Sequence, residues 1–141
     1  MYLNAQKNIQ KFAQVIEMYR QLDDYYIETE RNSDHQEDIR SKINDIRSRQ
    51  EQLLHTFDLE DLKTLYAVAS IGRHERGERH YYLNNTFEII ELEITENEEE
   101  LLQKHAKFIV FLNKEELIDY FTSRVSLSQD IYEGMKILKL M

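Results

Sequence analysis

Apolar residues in the first part of the chain recur every three or four positions, the spacing of one face of an α-helix. Between Asn4 and Glu30 this face carries Ile9, Phe12, Ile16, Tyr19, Leu22 and Tyr26. A polar break follows, in which Ser33 and Gln36 have the form of a capping box. The spacing then resumes at Ile39, Ile43, Ile46, Leu53 and Leu54. Residues 1–57 are therefore predicted to form a long antiparallel helical hairpin.

The segment from Asp58 to Arg73 has the densest helix signals in the chain. Asp58 can cap the first turn, and Glu60 and Asp61 lie near the positive end of the helix dipole. Because this helix is apolar over much of its circumference, we expect it to be central in the fold. Gly72 is predicted to end it by adopting the left-handed conformation.

The remaining pattern predicts short helices, with one ambiguous segment before them. Residues 81–95 fit a helix by Phe87, Ile90 and Ile94, but Ile90, Leu92 and Ile94 also alternate with glutamates as in a strand. Three capping signals follow, at Thr95 with Glu98, at Asn113 with Glu116, and at Ser128. Each is expected to begin a short helix.

Composition supports a helical fold, because the chain has no proline and only three glycines in 141 residues. The predicted class is all-α and the predicted organisation is a single domain, residues 1–141. In it, the hairpin of residues 1–57 packs against a cluster of shorter helices in residues 58–141, with a minor strand within 81–95 as the open alternative. The hairpin could also mediate a homodimer.

Charge and composition narrow the function classes. Eighteen Lys and Arg against 27 Asp and Glu give a net charge of -9, which argues against direct binding to nucleic acid. The absence of cysteine excludes disulfides, thiolate nucleophiles and Cys-based zinc sites. Residues 1–10 lack the apolar core of a secretory signal, and no apolar run is long enough to span a membrane. We expect a cytoplasmic protein.

Between Arg79 and Lys104 the sequence has no basic residue and a run of glutamates. These are Glu88, Glu91, Glu93, Glu96, Glu98, Glu99 and Glu100. They are predicted to form a docking surface for a basic protein partner, with opposite charge steering association. The competing interpretation is a solvated face that continues into a helix N-terminus, where carboxylates are favoured by the dipole.

A local basic segment precedes this acidic run. Arg73, Arg76 and Arg79 are spaced by three residues and could hold a phosphate or carboxylate, with Tyr81 or Tyr82 stacking on a nucleotide. The alternative is that these arginines form ion pairs with Glu75, Glu78 or acidic residues elsewhere. His74 and His80 do not have the spacing of a zinc-binding helix, so no metal site is expected.

Catalytic motifs are not recognisable in the sequence. No Gly-x-Ser-x-Gly turn or Gly-rich phosphate loop occurs, and the carboxylate pairs lie where helix caps or exposed faces explain them. His105 lies on an apolar helical face and is expected to be a hydrogen-bonded core residue. We therefore expect no catalytic residue, no cofactor and no enzymatic activity.

Two segments resemble a small bacterial family of unknown function. The segment Leu-Tyr-Ala-Val-Ala-Ser-Ile-Gly-Arg ends at Arg73, and Phe-Leu-Asn-Lys-Glu-Glu-Leu-Ile-Asp-Tyr-Phe ends at Phe121. That family is marked by a helix ending in Leu-Gly-Arg-Gly-Asp and by a later Tyr-Leu-x-x-x-x-x-Leu-x-x-Tyr-Leu segment. By this resemblance Gly72 and Arg73 match the first motif, and Leu117, Tyr120 and Phe121 match the second.

The chain departs from that family pattern at His74 and Glu75, which stand in place of Gly-Asp, and at Ser126, where a glycine is expected. The resemblance covers roughly residues 57–141 and implies a small cytosolic helical domain without implying an activity.

These observations favour a non-enzymatic binding protein. We expect it to regulate or inhibit a basic, nucleic-acid-handling protein through its acidic surface, as would suit an anti-defence inhibitor encoded by a phage or mobile element. The alternatives are an anion- or nucleotide-binding module at the arginine segment and a structural homodimer.

Overall fold

The structure is a computed structural model of the chain. It describes the backbone of residues 1–31, 36–76, 78–83, 86–91 and 94–141, and the side chains of residues 1–29, 37–76 and 94–141. Within those residues the regular structure is predominantly α-helical, which confirms the helical class predicted from composition. None of the described helices combines the length and the apolar character needed to cross a membrane.

Four helices form the first half of the chain: α1 (Tyr2–Lys7), α2 (Ile9–Arg31), α3 (Gln36–His55) and α4 (Leu59–His74). Two strands follow, β1 (Glu78–Leu83) and β2 (Thr86–Glu91). The last part contains α5 (Glu98–Ala106), a 3₁₀ turn (Lys107–Ile109), α6 (Lys114–Ser123) and α7 (Ser128–Ile137).

The first predicted helix is divided at Asn8. The Asn8 side-chain amide donates to the Asn4 carbonyl at 2.8 Å and to the Asp61 carboxylate at 2.9 Å, and Asn8 is buried. A side chain that bonds locally to the backbone competes with helix continuation. The partner on α4 that holds Asn8 in place lies 53 residues away, so local spacing could not reveal this break.

Helices α2 and α3 pack against each other through their apolar faces. Near the start of α2, the ring of Phe12 lies 5.8 Å from that of Phe57, just beyond the end of α3. Further along α2, the Tyr26 hydroxyl accepts a hydrogen bond from Arg47 at 3.3 Å, within the middle of α3. The two helices therefore run in opposite directions. The predicted cap at Ser33 lies outside the described residues.

The helix α4 is central, as the sequence predicted. Its buried apolar residues include Leu62, Leu65, Val68 and Ile71. The helix packs against α1, α5, α6 and α7. Asp58 caps its first turn in a reciprocal box with Asp61, which confirms the predicted start.

Gly72 does not end α4, so this part of the prediction is wrong. The helix continues to His74, and Gly72 is buried against α7. A methyl group on Gly72 would overlap the backbone oxygen of Asp130, and one on Gly134 would overlap the backbone oxygen of Val68. Both glycines are therefore needed because the backbones of α4 and α7 approach closely.

The predicted helix starts near the C-terminal end differ in detail. Asn113 and Glu116 form the expected capping box of α6. For α5, Asn97 rather than Thr95 is the cap, and its side chain accepts from the Glu100 N–H at 2.9 Å. Ser128 is the first residue of α7 rather than its cap, and its hydroxyl donates to Asp23 at 3.4 Å.

Strands β1 and β2 form an antiparallel pair, in which Tyr81 lies opposite Glu88 and Glu78 lies opposite Glu91. The helical alternative for residues 86–91 is therefore wrong, because the cross-strand backbone hydrogen bonds of this pair require extended chain.

Replacing Gly72 by alanine is expected to destabilise the protein by about 1–3 kcal/mol, because the added methyl group must displace backbone atoms of α7. Glycine to alanine in an ordinary helix interior changes stability in the opposite direction, by about 1 kcal/mol. The sign of the change in the free energy of unfolding, measured by urea denaturation, therefore distinguishes a close helix contact from an ordinary helix interior. A stabilised Gly72→Ala variant would contradict the close approach of α4 and α7.

Ser126 has φ 63°, in the left-handed region that favours glycine. Its hydroxyl contributes an exposed hydrogen bond to Asp23 at 3.3 Å. We expect Ser126→Gly to raise the free energy of unfolding by up to about 1 kcal/mol, since it removes the left-handed penalty. The control Ser48→Gly, at an exposed position inside α3, should lower it by about 0.5 kcal/mol. Equal changes in the free energy of unfolding for the two variants would argue against a left-handed conformation at Ser126.

Candidate functional site

The described part of the predicted acidic surface lies at the N-terminal end of α5. We call this region the acidic end; it consists of Glu96, Glu98, Glu99 and Glu100. Three of these carboxylates have a cation nearby within the chain. Glu96 lies 3.4 Å from Lys104, Glu98 lies 3.6 Å from Lys139, and Glu99 lies 3.0 Å from the N-terminal ammonium group. The acidic end is therefore partly neutralised internally.

Glu99 is the most strongly bound of these carboxylates. It accepts hydrogen bonds from the Gln103 amide at 2.9 Å and from the Tyr2 backbone N–H at 2.6 Å. These bonds, together with the N-terminal ammonium group, lower the pKa of Glu99 to about 2. Glu99 thus links the start of α1 to α5.

A cavity of about 360 Å³ lies between the acidic end and the end of α7. Glu96 and Glu98 border it together with Lys139, and its wall includes the apolar residues Leu101 and Ile137. Long basic side chains combine an apolar stem with a charged head. A recess with carboxylates beside apolar walls has the chemistry to accept such a side chain.

Glu88 and Glu91 belong to β2, opposite residues of β1 in the register, but their side chains lie outside the described residues. Glu93 lies outside them entirely. The structure therefore brings together four of the seven predicted glutamates, and the side chains of the other three lie outside the described residues.

The arginine segment is divided between two elements. Arg73 is exposed in the last turn of α4. The Arg76 guanidinium donates to the Gly72 carbonyl at 2.6 Å and forms an ion pair with Asp130 at 2.7 Å. An anion at Arg76 would have to compete with this carboxylate. The side chains of Arg79, Tyr81 and Tyr82 lie outside the described residues, although their backbones belong to β1.

The sequence reading missed an aromatic turn at the far end of α5. We define it as Phe108, Val110 and Phe111, which are 79%, 57% and 96% exposed. Val110 also borders a groove of about 180 Å³, whose other lining residues include Met1, Gln103, Lys63 and Lys107. Adjacent exposed apolar residues of this kind mark interaction sites. Phe108 and Phe111 are apolar, and the local sequence does not indicate that they are exposed.

His105 is a hydrogen-bonded core residue, as predicted. One ring nitrogen, Nδ1, lies 2.7 Å from the Ser70 hydroxyl, and Nε2 lies 3.2 Å from the Glu75 carboxylate. His105 and Glu75 are both buried, and Lys104 lies 3.4 Å from the same Glu75 oxygen. Burial lowers the pKa of His105, although the Glu75 carboxylate opposes this shift. The imidazole is therefore neutral at neutral pH.

Among the described residues, no group of three His, Cys, Asp or Glu side chains is arranged to hold a metal ion. Fold and surface together define a small acidic helical protein that carries a two-stranded hairpin and an exposed aromatic turn. Searches against protein-family models, curated proteins and solved structures found no match to this chain.

The stability of the protein is expected to fall as the pH is lowered below about 6.5, the ordinary pKa of histidine. In this range an unfolded histidine takes up a proton, whereas His105 in the folded protein resists protonation because its pKa is lowered. The contribution of neutral His105 to stability is complete above about pH 6.5 and is lost as the pH falls toward the lower pKa of His105 in the folded protein.

Urea denaturation between pH 5 and pH 7.5 measures this effect. The variant His105→Gln should flatten the pH dependence more than the control His55→Gln, which changes a histidine at an exposed position. An unaltered slope in His105→Gln would contradict the role of His105.

Proposed function

We propose that this chain is a binding protein that docks onto a basic protein partner through the acidic end of α5. The observation that carries the proposal is the cavity of about 360 Å³ beside Glu96 and Glu98, which joins carboxylates to apolar walls. It provides a place for a lysine or arginine side chain of the partner, which a flat acidic face would not.

The internal cations do not remove this capacity. Lys139 is 81% exposed and lies 3.6 Å from Glu98, a geometry in which an ion pair contributes little stability. A basic side chain of the partner can therefore replace Lys139 at low cost. Glu100 has its side chain exposed and accepts a hydrogen bond only from Asn97 among the described contacts.

The aromatic turn, which follows the C-terminal end of α5, supports the same function. Its exposed rings supply apolar area of the kind that anchors protein interfaces, and it is contiguous with Gln103, which binds Glu99. The partner class that fits both features has basic residues beside an apolar patch. Occupation of a basic surface by carboxylates would compete with nucleic acid, which is how we propose that the protein inhibits a nucleic-acid-handling partner.

The proposal predicts that changes to the two sides of the Glu98–Lys139 ion pair affect partner capture in opposite directions. Replacing both Glu98 and Glu100 by glutamine keeps their hydrogen-bond acceptors and removes two charges, so capture of the partner from a bacterial lysate should weaken by roughly fivefold or more. Replacing Lys139 by asparagine, which tolerates the left-handed conformation at this position, removes the internal competitor and should strengthen capture. One captured protein is identified, and the measurement is the salt concentration that releases this protein from the wild-type chain and from each variant.

The matched control is Glu115→Gln, which removes an exposed carboxylate from the first turn of α6. It should release the same protein at the wild-type salt concentration. If Glu98→Gln with Glu100→Gln behaves like this control, the acidic end is not the docking surface. Heparin tests the partner class, since it should displace a protein bound through its nucleic-acid site; failure to displace would reject that class alone.

A further inference from the structure

Ser70, His105 and Glu75 form a continuous chain of hydrogen bonds between α4 and α5. The Ser70 hydroxyl lies 2.7 Å from Nδ1 of His105, and Nε2 of His105 lies 3.2 Å from the Glu75 carboxylate. Ser70 lies in α4, Glu75 is the residue at which α4 ends, and His105 is in the last turn of α5. Local sequence patterns do not reveal this arrangement, because the histidine lies 35 residues from the serine.

The hydrogen-bond partners fix the direction of the chain. Ionised Glu75 can only accept, so Nε2 of His105 carries the proton and the Nδ1 lone pair accepts from the Ser70 hydroxyl. Lys104 lies 3.4 Å from the same Glu75 oxygen. A serine bonded to the free lone pair of a neutral imidazole, itself oriented by a carboxylate, has the arrangement of an activated nucleophile.

Ser70 is also accessible from the surface. It is half-buried and borders a recess of about 40 Å³ that is partly open to solvent, together with Tyr66, Arg73, His74 and Tyr120. Asp130 also borders the recess, and its carboxylate is paired with Arg76 at 2.7 Å. The small volume of the recess favours a short acyl group. The Arg73 side chain on its wall is exposed and positively charged, which favours the negative charge that develops on a carbonyl oxygen under attack.

We propose that Ser70 is an acyl-accepting nucleophile, with His105 as its general base and Glu75 as the positioning residue, and that it reacts with esters of small carboxylic acids. This activity is separate from the binding proposed for the acidic end. Oγ of Ser70 forms a bond to the carbonyl carbon while its proton moves to Nδ1 of His105. The bond from that carbon to the alcohol oxygen breaks, and the proton passes to the departing alcohol; water then releases the acid by the reverse proton path.

The probe is 4-nitrophenyl acetate, with nitrophenolate release and the acetylated peptide measured together. Acetylation should map to Ser70 as an ester that hydroxylamine removes, and Ser70→Ala should abolish it. His105→Gln should slow it by roughly 100-fold, the lower range of general-base contributions, and Glu75→Gln should slow it less. The control Ser48→Ala, at an exposed serine of α3, should leave it unchanged.

Absence of acetylation at Ser70 in the wild type would overturn the proposal, as would a rate in His105→Gln equal to the wild-type rate. A second pair of variants tests the proposal even if Ser70→Ala fails to fold. Because the natural chain has no cysteine, Ser70→Cys and Ser48→Cys each place a single thiol in the protein. Iodoacetamide should alkylate the Ser70→Cys variant faster, since His105 promotes the thiolate there; equal rates would argue against His105 as base.

Discussion

The fold depends on the close approach of α4 and α7. Gly72 and Gly134 each face the backbone of the other helix, and neither position leaves room for a methyl group. This contact brings α7 against the helix that α1, α5 and α6 also cover. The acidic end and His105 lie on α5, which packs against another part of α4, and Arg73 lies on α4 itself.

Polar side chains connect α4 to its neighbours at specific points. Asn8 and Asp61 join it to the break between α1 and α2, and Ser70 and Glu75 join it to His105 on α5. Buried polar groups are costly unless they are hydrogen-bonded, so each of these pairs also specifies how the helices are arranged. The same requirement gives His105 its neutral state and its orientation toward Ser70.

Surface charge in this protein is less concentrated than its net charge suggests. The N-terminal ammonium group, Lys104 and Lys139 lie close to three carboxylates of the acidic end, which leaves Glu100 as the carboxylate there without a cation among the described contacts. In the binding that we propose, a partner would therefore have to exchange ion pairs with these internal cations. The aromatic turn at the other end of α5 is an exposed apolar surface of this part of the protein.

The sequence determined the helical class, the central position of α4 and the caps at Asp58 and Asn113, because spacing and capping are local and their energies act within one or two turns. It misassigned Gly72, because a helix end and a close helix contact both require a missing side chain. It could not find the break at Asn8, the exposure of Phe111 or the meeting of Ser70 with His105. Tertiary structure decided these features, since each depends on residues that lie far apart in the chain and meet only when the helices pack.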